Sequence, residues 1–269
     1  MKRSITAAAT LAGFLALLPH GAVRADESAF KAGLAAYEAA NFGGAAEIWR
    51  PLADAGDAKA AFRLGHLMMD GKGVAKNRDA ALDLWRTAAD ADLVEAQHAL
   101  ALALISDAGA EAMAPQEALH WLVRAAEAGS TPSQYTLGKM YLEGLGTPKD
   151  YEIAYRWMGE AAEAGFPPAL YNIAKMSRDG LGVPPDNDIA FKLFSRAAEA
   201  GHGKAQAALA VRYQLGEGVQ RDPERALFWA YRAQMNGVKR AEETITPMVA
   251  ELGEDEAKRI QEQAAKTSK

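Results

Sequence analysis

The stretch LGKMYLEGLGTPKDYEIAYRWMGEAAEAG, residues 137–165, decides the fold. A helical stripe of Leu137, Gly138 and Tyr141 breaks at Gly144-Leu145-Gly146, restarts after Asp150 and stops again at Gly165. Glycine ends a helix because it enters the left-handed region at little steric cost, and a side-chain oxygen just before a helix accepts from its free N–H groups. One such hairpin is too small to bury its own apolar stripe. Its neighbours in the sequence repeat it.

Ala154 has counterparts at 45, 81, 118, 190 and 226, so successive copies lie 36, 37, 36, 36 and 36 residues apart. Seven and eight residues after each comes a small pair, as in Ala88-Ala89, Ala125-Ala126 and Ala197-Ala198. A glycine follows at 56, 129, 165, 201 and 237, with Asp92 as the exception. Three or four residues after each anchor stands an aromatic, Trp49, Trp85, Trp121, Trp157, Phe194 or Trp229, which places all five tryptophans in one register. Paired glycines recur at 71/73, 180/182 and 216/218, and Asn77, Asp150, Asp186 and Asp222 stand where they would cap the second helix. The third copy departs: Ser106-Asp107-Ala108-Gly109-Ala110 lacks the glycine pair and Ala114 replaces the capping residue. That loop is expected to be irregular.

A unit reading Leu-Gly-x-x-Tyr-x-x-Gly-x-Gly, a spacer with Asp, then Ala-x-x-Trp-x-x-x-Ala-Ala-x-x-Gly resembles the Sel-one-like repeat (SLR), a relative of the tetratricopeptide repeat. The resemblance implies an all-α, right-handed α-solenoid of about six 36-residue helix-turn-helix repeats with a C-terminal helical cap. Residues 26–57 read as a degenerate first repeat, 58–238 as five SLR repeats, and 239–269 as capping helices (Ala241–Glu251, Glu254–Ala265) with a frayed tail. Relatives of this kind commonly mediate protein assembly, envelope signalling and exopolysaccharide regulation, so the resemblance implies a chain that binds a partner and is not an enzyme.

Residues 1–25 read as an export signal. Lys2 and Arg3 precede the apolar run from Ile5 to Leu18, and Val23 and Ala25 place small residues at −3 and −1 of a cleavage site. Neither that run nor any later segment reaches the ~20 apolar residues of a membrane-spanning helix. The expected location is periplasmic or secreted. Losing Lys2, Arg3 and Arg24 moves the net charge from −5 to −8 (−5 − 3), a poor balance for nucleic acid or anionic lipid. The chain has no cysteine, which excludes disulfides, thiolate metal sites and a thiol nucleophile.

No catalytic, cofactor or metal constellation emerges. The histidines at 66, 98, 120 and 202 form no HExxH pair, and the Gly-x-Gly loops lack the strand and Lys-Ser/Thr of a phosphate loop. Opposite the buried stripe of each first helix, one column reads Phe62, His98, Tyr135, Tyr171 and Ala207, and another reads His66, Leu102, Lys139, Lys175 and Val211. With Asn172 beside Tyr171, these rings and bases are candidates for a concave face that takes an extended acidic or amphipathic peptide from an envelope protein. The alternative is stacking of Phe62, Tyr135 and Tyr171 on peptidoglycan or another polysaccharide. Hydrolase activity is the weakest reading, because nothing pairs a nucleophile with a base.

Overall fold

The computed structural model describes the backbone of residues 20–106 and 115–266, and the side chains of 27–105 and 115–266. The expected signal at 1–25, the irregular loop around Gly109 and Ala114, and the last three residues of the tail fall outside these described side chains. Among the described residues all regular structure is helical. One compact unit, residues 1–91, contains α1 (His20–Glu38), α2 (Phe42–Asp54), α3 (Ala58–Asp70) and α4 (Arg78–Asp90). The other, 92–269, contains α5 (Val94–Ser106), α6 (Pro115–Glu127), α7 (Thr131–Glu143), α8 (Tyr151–Glu163), α9 (Pro167–Asp179), α10 (Asn187–Glu199), α11 (Gly203–Leu215) and α12 (Pro223–Met235). A 3₁₀ turn (Lys239–Ala241), α13 (Glu242–Leu252) and α14 (Glu254–Lys266) complete it.

Within each unit every helix packs on the next in chain order, and α12 packs on both α13 and α14. From α1 to α12, odd-numbered helices are the first (A) and even-numbered helices the second (B) of each hairpin. The caps explain why each helix starts and stops where it does. The side chains of Asn77, Asp150, Asp186 and Asp222 accept from Ala80, Ile153, Ile189 and Arg225 backbone N–H groups at 2.8–3.1 Å. At the far end of the B helices, Gly56, Gly129, Gly165, Gly201 and Gly237 all have positive φ, and Asp92 takes the same left-handed conformation at φ 61°. In the last of these turns Val238 N–H reaches back to Ala233 O at 3.0 Å, so the terminal carbonyls are satisfied.

The anchor alanines 45, 81, 118, 154, 190 and 226 are all fully buried. The tryptophans correct the sequence reading, for they occupy two registers. The innermost position lies four residues after the anchor and holds Trp49, Trp85, Leu122, Met158, Phe194 and Ala230, each nearly inaccessible. Trp157 and Trp229, three residues after their anchors, are only half-buried. The innermost side chain needs room on the facing A helix. Gly33, Gly65 and Gly138 provide it, since a Cβ at any of them would overlap Trp49, Trp85 or Met158 respectively. The two B-helix tryptophans seated this way also donate from Nε1 to an A-helix carbonyl, Trp49 to Phe30 at 3.4 Å and Trp85 to Phe62 at 3.2 Å. The degenerate first hairpin thus uses the same device as the second.

In the four loops with paired glycines the second one, Gly73, Gly146, Gly182 or Gly218, lies against the start of the preceding hairpin's second helix. Gly182 has φ 75°, and a Cβ there would fall on the carbonyl of Tyr151 at the start of α8 in the preceding hairpin. Gly165 has φ 80° but open space around it. Gly165→Ala is therefore expected to cost only backbone strain, about 1 kcal/mol, whereas Gly182→Ala adds a backbone collision and is expected to cost about 2–4 kcal/mol. Urea unfolding of both variants by circular dichroism separates them. Equal losses would mean that the approach to Tyr151 does not limit stacking.

Candidate partner-binding surface

The A helices hold the sequence-predicted residues in small local clusters. In the first unit Phe62 and His66 meet edge to face at 4.5 Å between ring centroids, and His66 lies 4.8 Å from the ring of Trp85. Both are half-buried and back the Trp85 seat. Burial and the neighbouring Arg63 charge hold the His66 imidazole below its ordinary pKa.

In the second unit His98 on α5 shares a hydrogen bond between its Nδ1 and Ser133 Oγ at 2.9 Å, while Ser133 also bonds Ser130 Oγ at 2.9 Å. Ser133 is fully buried, so this pair fastens the start of α7 to α5. Tyr135 packs edge-on against Phe166 at 5.3 Å, and its hydroxyl accepts from Asn172 Nδ2 at 3.2 Å. Tyr171 is bracketed by Phe194, His202 and the Lys175 ammonium, at 5.8, 4.9 and 5.8 Å. Lys139 points along its own helix to Glu143 at 3.7 Å. The structure thus joins Tyr135 with Asn172 and Tyr171 with Lys175 across or along A helices.

Tyr171 also lines a cleft of about 640 Å³ between α9, α11 and the 3₁₀ turn with α13. Its floor is Ala207, Ala208, Val211 and Val238, and its rim carries Arg178, Lys204, Arg212 and Arg240 against Glu217 and Glu243. Lys204, Ala207, Ala208 and Val211 are the ridge that lies opposite the buried stripe of α11. Arg178 and Arg240 are tied on the surface to Asp179 (2.5 Å) and Glu243 (3.0 Å).

Arg212 is different. It is 2% exposed, its guanidinium stacks 4.6 Å over the Phe194 ring, and its Nη1 donates to Glu217 at 3.0 Å. Sequence reasoning missed it although the signal was present. Arg212 occupies the position held by buried Leu67, Met140 and Met176 in other repeats, and Glu217 the place between loop glycines held there by Lys72, Leu145 and Leu181. Among the described residues no group of three or more His, Cys, Asp or Glu is placed to hold a metal, and no helix is long and apolar enough to cross a membrane.

Stacked helical hairpins with an open cleft on their A-helix side define a repeat protein that presents a surface. The profile of the Sel1 repeat matches residues 58–93, 94–130, 131–166, 167–202 and 203–238 without interruption, and the chain belongs to the Sel1 repeat family. Sel1 repeat proteins generally act as protein–protein interaction scaffolds. Among solved structures, a Sel1 repeat protein from Oxalobacter formigenes is 28% identical, with 88% of this chain and 96% of that one covered and a TM-score of 0.74. A protective antigen of uropathogenic Escherichia coli strains displaying an SLR fold is 24% identical over 90% of this chain and 61% of its own, with a TM-score of 0.58, and shows the fold alone. Comparison with curated proteins gives no match.

His98 provides a test of this packing. Burial lowers its pKa from the ordinary 6.5. Below about pH 6.5 the unfolded chain takes up a proton that the folded chain refuses, so stability falls as pH drops from there toward the folded value and is unaffected above. Burial acts on His66 and His202 in the same direction. The urea midpoint is expected to decline between pH 7.5 and 5.5, and His98→Gln, which keeps a hydrogen-bonding group for Ser133, to flatten part of that decline. An NMR titration placing the His98 midpoint at or above 6.5 would refute the assignment.

Proposed function

We propose that this chain is an exported adaptor of the cell envelope that holds a protein partner against the A-helix face of residues 92–269. The cleft floored by Ala207, Ala208 and Val211 carries the reading, because it joins apolar surface to four cationic side chains against three carboxylates, Asp179, Glu217 and Glu243. That local excess of positive charge stands out in a chain of net charge −5 and suits an acidic or amphipathic segment. Export rests on the charged start, apolar run and small-residue site of residues 1–25. A periplasmic adaptor of this design suits regulation of envelope signalling or exopolysaccharide production, where a binding event must be relayed without chemistry. The rings of Tyr135 and Tyr171 are engaged by Phe166, Phe194, His202 and Lys175, which leaves the sugar-stacking alternative with less open aromatic face.

Two measurements test this. Expressed in a Gram-negative host, the protein is expected in the periplasmic fraction with Asp26 as its first residue; a cytoplasmic product retaining Met1 would remove the envelope role. A photo-crosslinker at Val211 in the cleft is expected to trap one envelope protein that the same group at exposed Glu160, on B helix α8, does not. Equal trapping at both positions would move the binding surface elsewhere.

A further inference from the structure

The other cations on the cleft rim pair with a surface carboxylate or stand in water, whereas Arg212 is buried and only partly paired. Its Nε and Nη2 are buried and make no hydrogen bond, while Nη1 alone meets Glu217. A guanidinium presents its donors as a fork that matches the two oxygens of a carboxylate, so a single bond to Glu217 uses part of that geometry. The partner is itself loosely held. The Glu217 side chain is 45% exposed, at the tip of the glycine loop after α11. Two other repeats have Met140 with Leu145 and Met176 with Leu181 at these positions, both methionines buried, and a third has buried Leu67 with Lys72. Putting an arginine where those repeats bury Leu67, Met140 or Met176, at the wall of the cleft, gives up packing for a buried charge that the hairpin does not need.

We propose that the cleft is a carboxylate-binding site for a peptide segment, in which the ligand's carboxylate displaces Glu217 and engages the guanidinium fork of Arg212. Lys204, exposed and without an ion pair among the described residues, adds attraction at the mouth, and Val211 and Val238 receive the adjoining apolar part of the peptide. Glu217 occupies the site when it is empty and sets its affinity by competition. The proposal rests on the reading of this face as partner-binding. It goes further in naming the group recognised, which belongs either to an acidic side chain or to a chain terminus.

The test is an NMR titration of the purified ¹⁵N-labelled chain, following the Arg212 Nε–H signal, identified by its loss in Arg212→Met. Three probes are compared: acetyl-Ala-Ala with a free terminal carboxylate, acetyl-Asp-Asp-amide, and neutral acetyl-Ala-Ala-amide. One or both acidic probes are expected to shift the signal saturably, and whichever binds identifies the source of the carboxylate. Glu217→Gln is expected to tighten binding about three- to tenfold by removing the competitor. Arg212→Met with Glu217→Leu restores the pair found in two other repeats, so it is expected to fold with an unchanged or higher Tm and to lose at least tenfold in affinity. No saturable shift with either acidic probe, an equal shift with the neutral one, or undiminished binding by the double variant would overturn the proposal. The crosslinking at Val211 depends on none of these outcomes, so carboxylate recognition can fail while the partner surface stands, and the reverse.

Discussion

The structure depends on how closely the two helices of a hairpin approach. Where the second helix presents a large innermost side chain, Trp49, Trp85 or Met158, the first gives up its Cβ at Gly33, Gly65 or Gly138. Dispersion falls steeply with separation, so a gap of a fraction of an ångström forfeits much of the contact and an added methyl collides. The seat therefore sets interhelical distance and rotation together. Once the rotation is set, every outward position of that A helix is set with it, and the place of Tyr135 on α7 follows from packing on the opposite side.

This is why most of the fold was legible in the sequence. The capping residues, the left-handed glycines and the anchor alanines each act locally, and each recurs, so a weak signal in one hairpin is repeated in the others. Even Asp92, a departure from glycine, takes the conformation its position demands, at φ 61°. The tryptophans were harder to place. Positions three and four residues beyond an anchor differ by 100° around the helix, yet both accept an aromatic, and composition does not say which one enters the seat. Glycine on the facing helix says it for Trp49 and Trp85, and that pairing is visible only once the hairpin is closed.

The candidate site was less legible, because its defining feature departs from the repeat. The outward ridge of α11 could be read from periodicity. Arg212 could not, since a helical wheel assigns its position to the core, where Leu67, Met140 and Met176 are buried. The aromatics chosen for their chemistry turned out to be half-buried connectors: Tyr135 to Asn172, His98 to Ser133, and Phe62 and His66 to Trp85. A column of rings along stacked helices serves packing between repeats as readily as recognition, and periodicity alone does not distinguish the two.

The position of the buried charge within the array has its own physical logic. Leaving a buried donor unmet costs about 1–3 kcal/mol, and Arg212 carries two. In a repeat protein stability is roughly the sum of each unit and its interfaces with neighbours, so such a penalty is borne where it is placed. At a central hairpin it would weaken interfaces on both sides. At the last full repeat one neighbour is the terminal element, and there Ala241, Ile245 and Met248 stand one repeat period after Ala205, Leu209 and Arg212, all three buried. A hydrogen bond also crosses this boundary, where Thr244 donates to Gln214 Oε1 at 3.1 Å. The last repeat thus has a neighbour that continues the core and is tied to it by a specific hydrogen bond. In such a setting a buried guanidinium can be kept in the chain without breaking the stack.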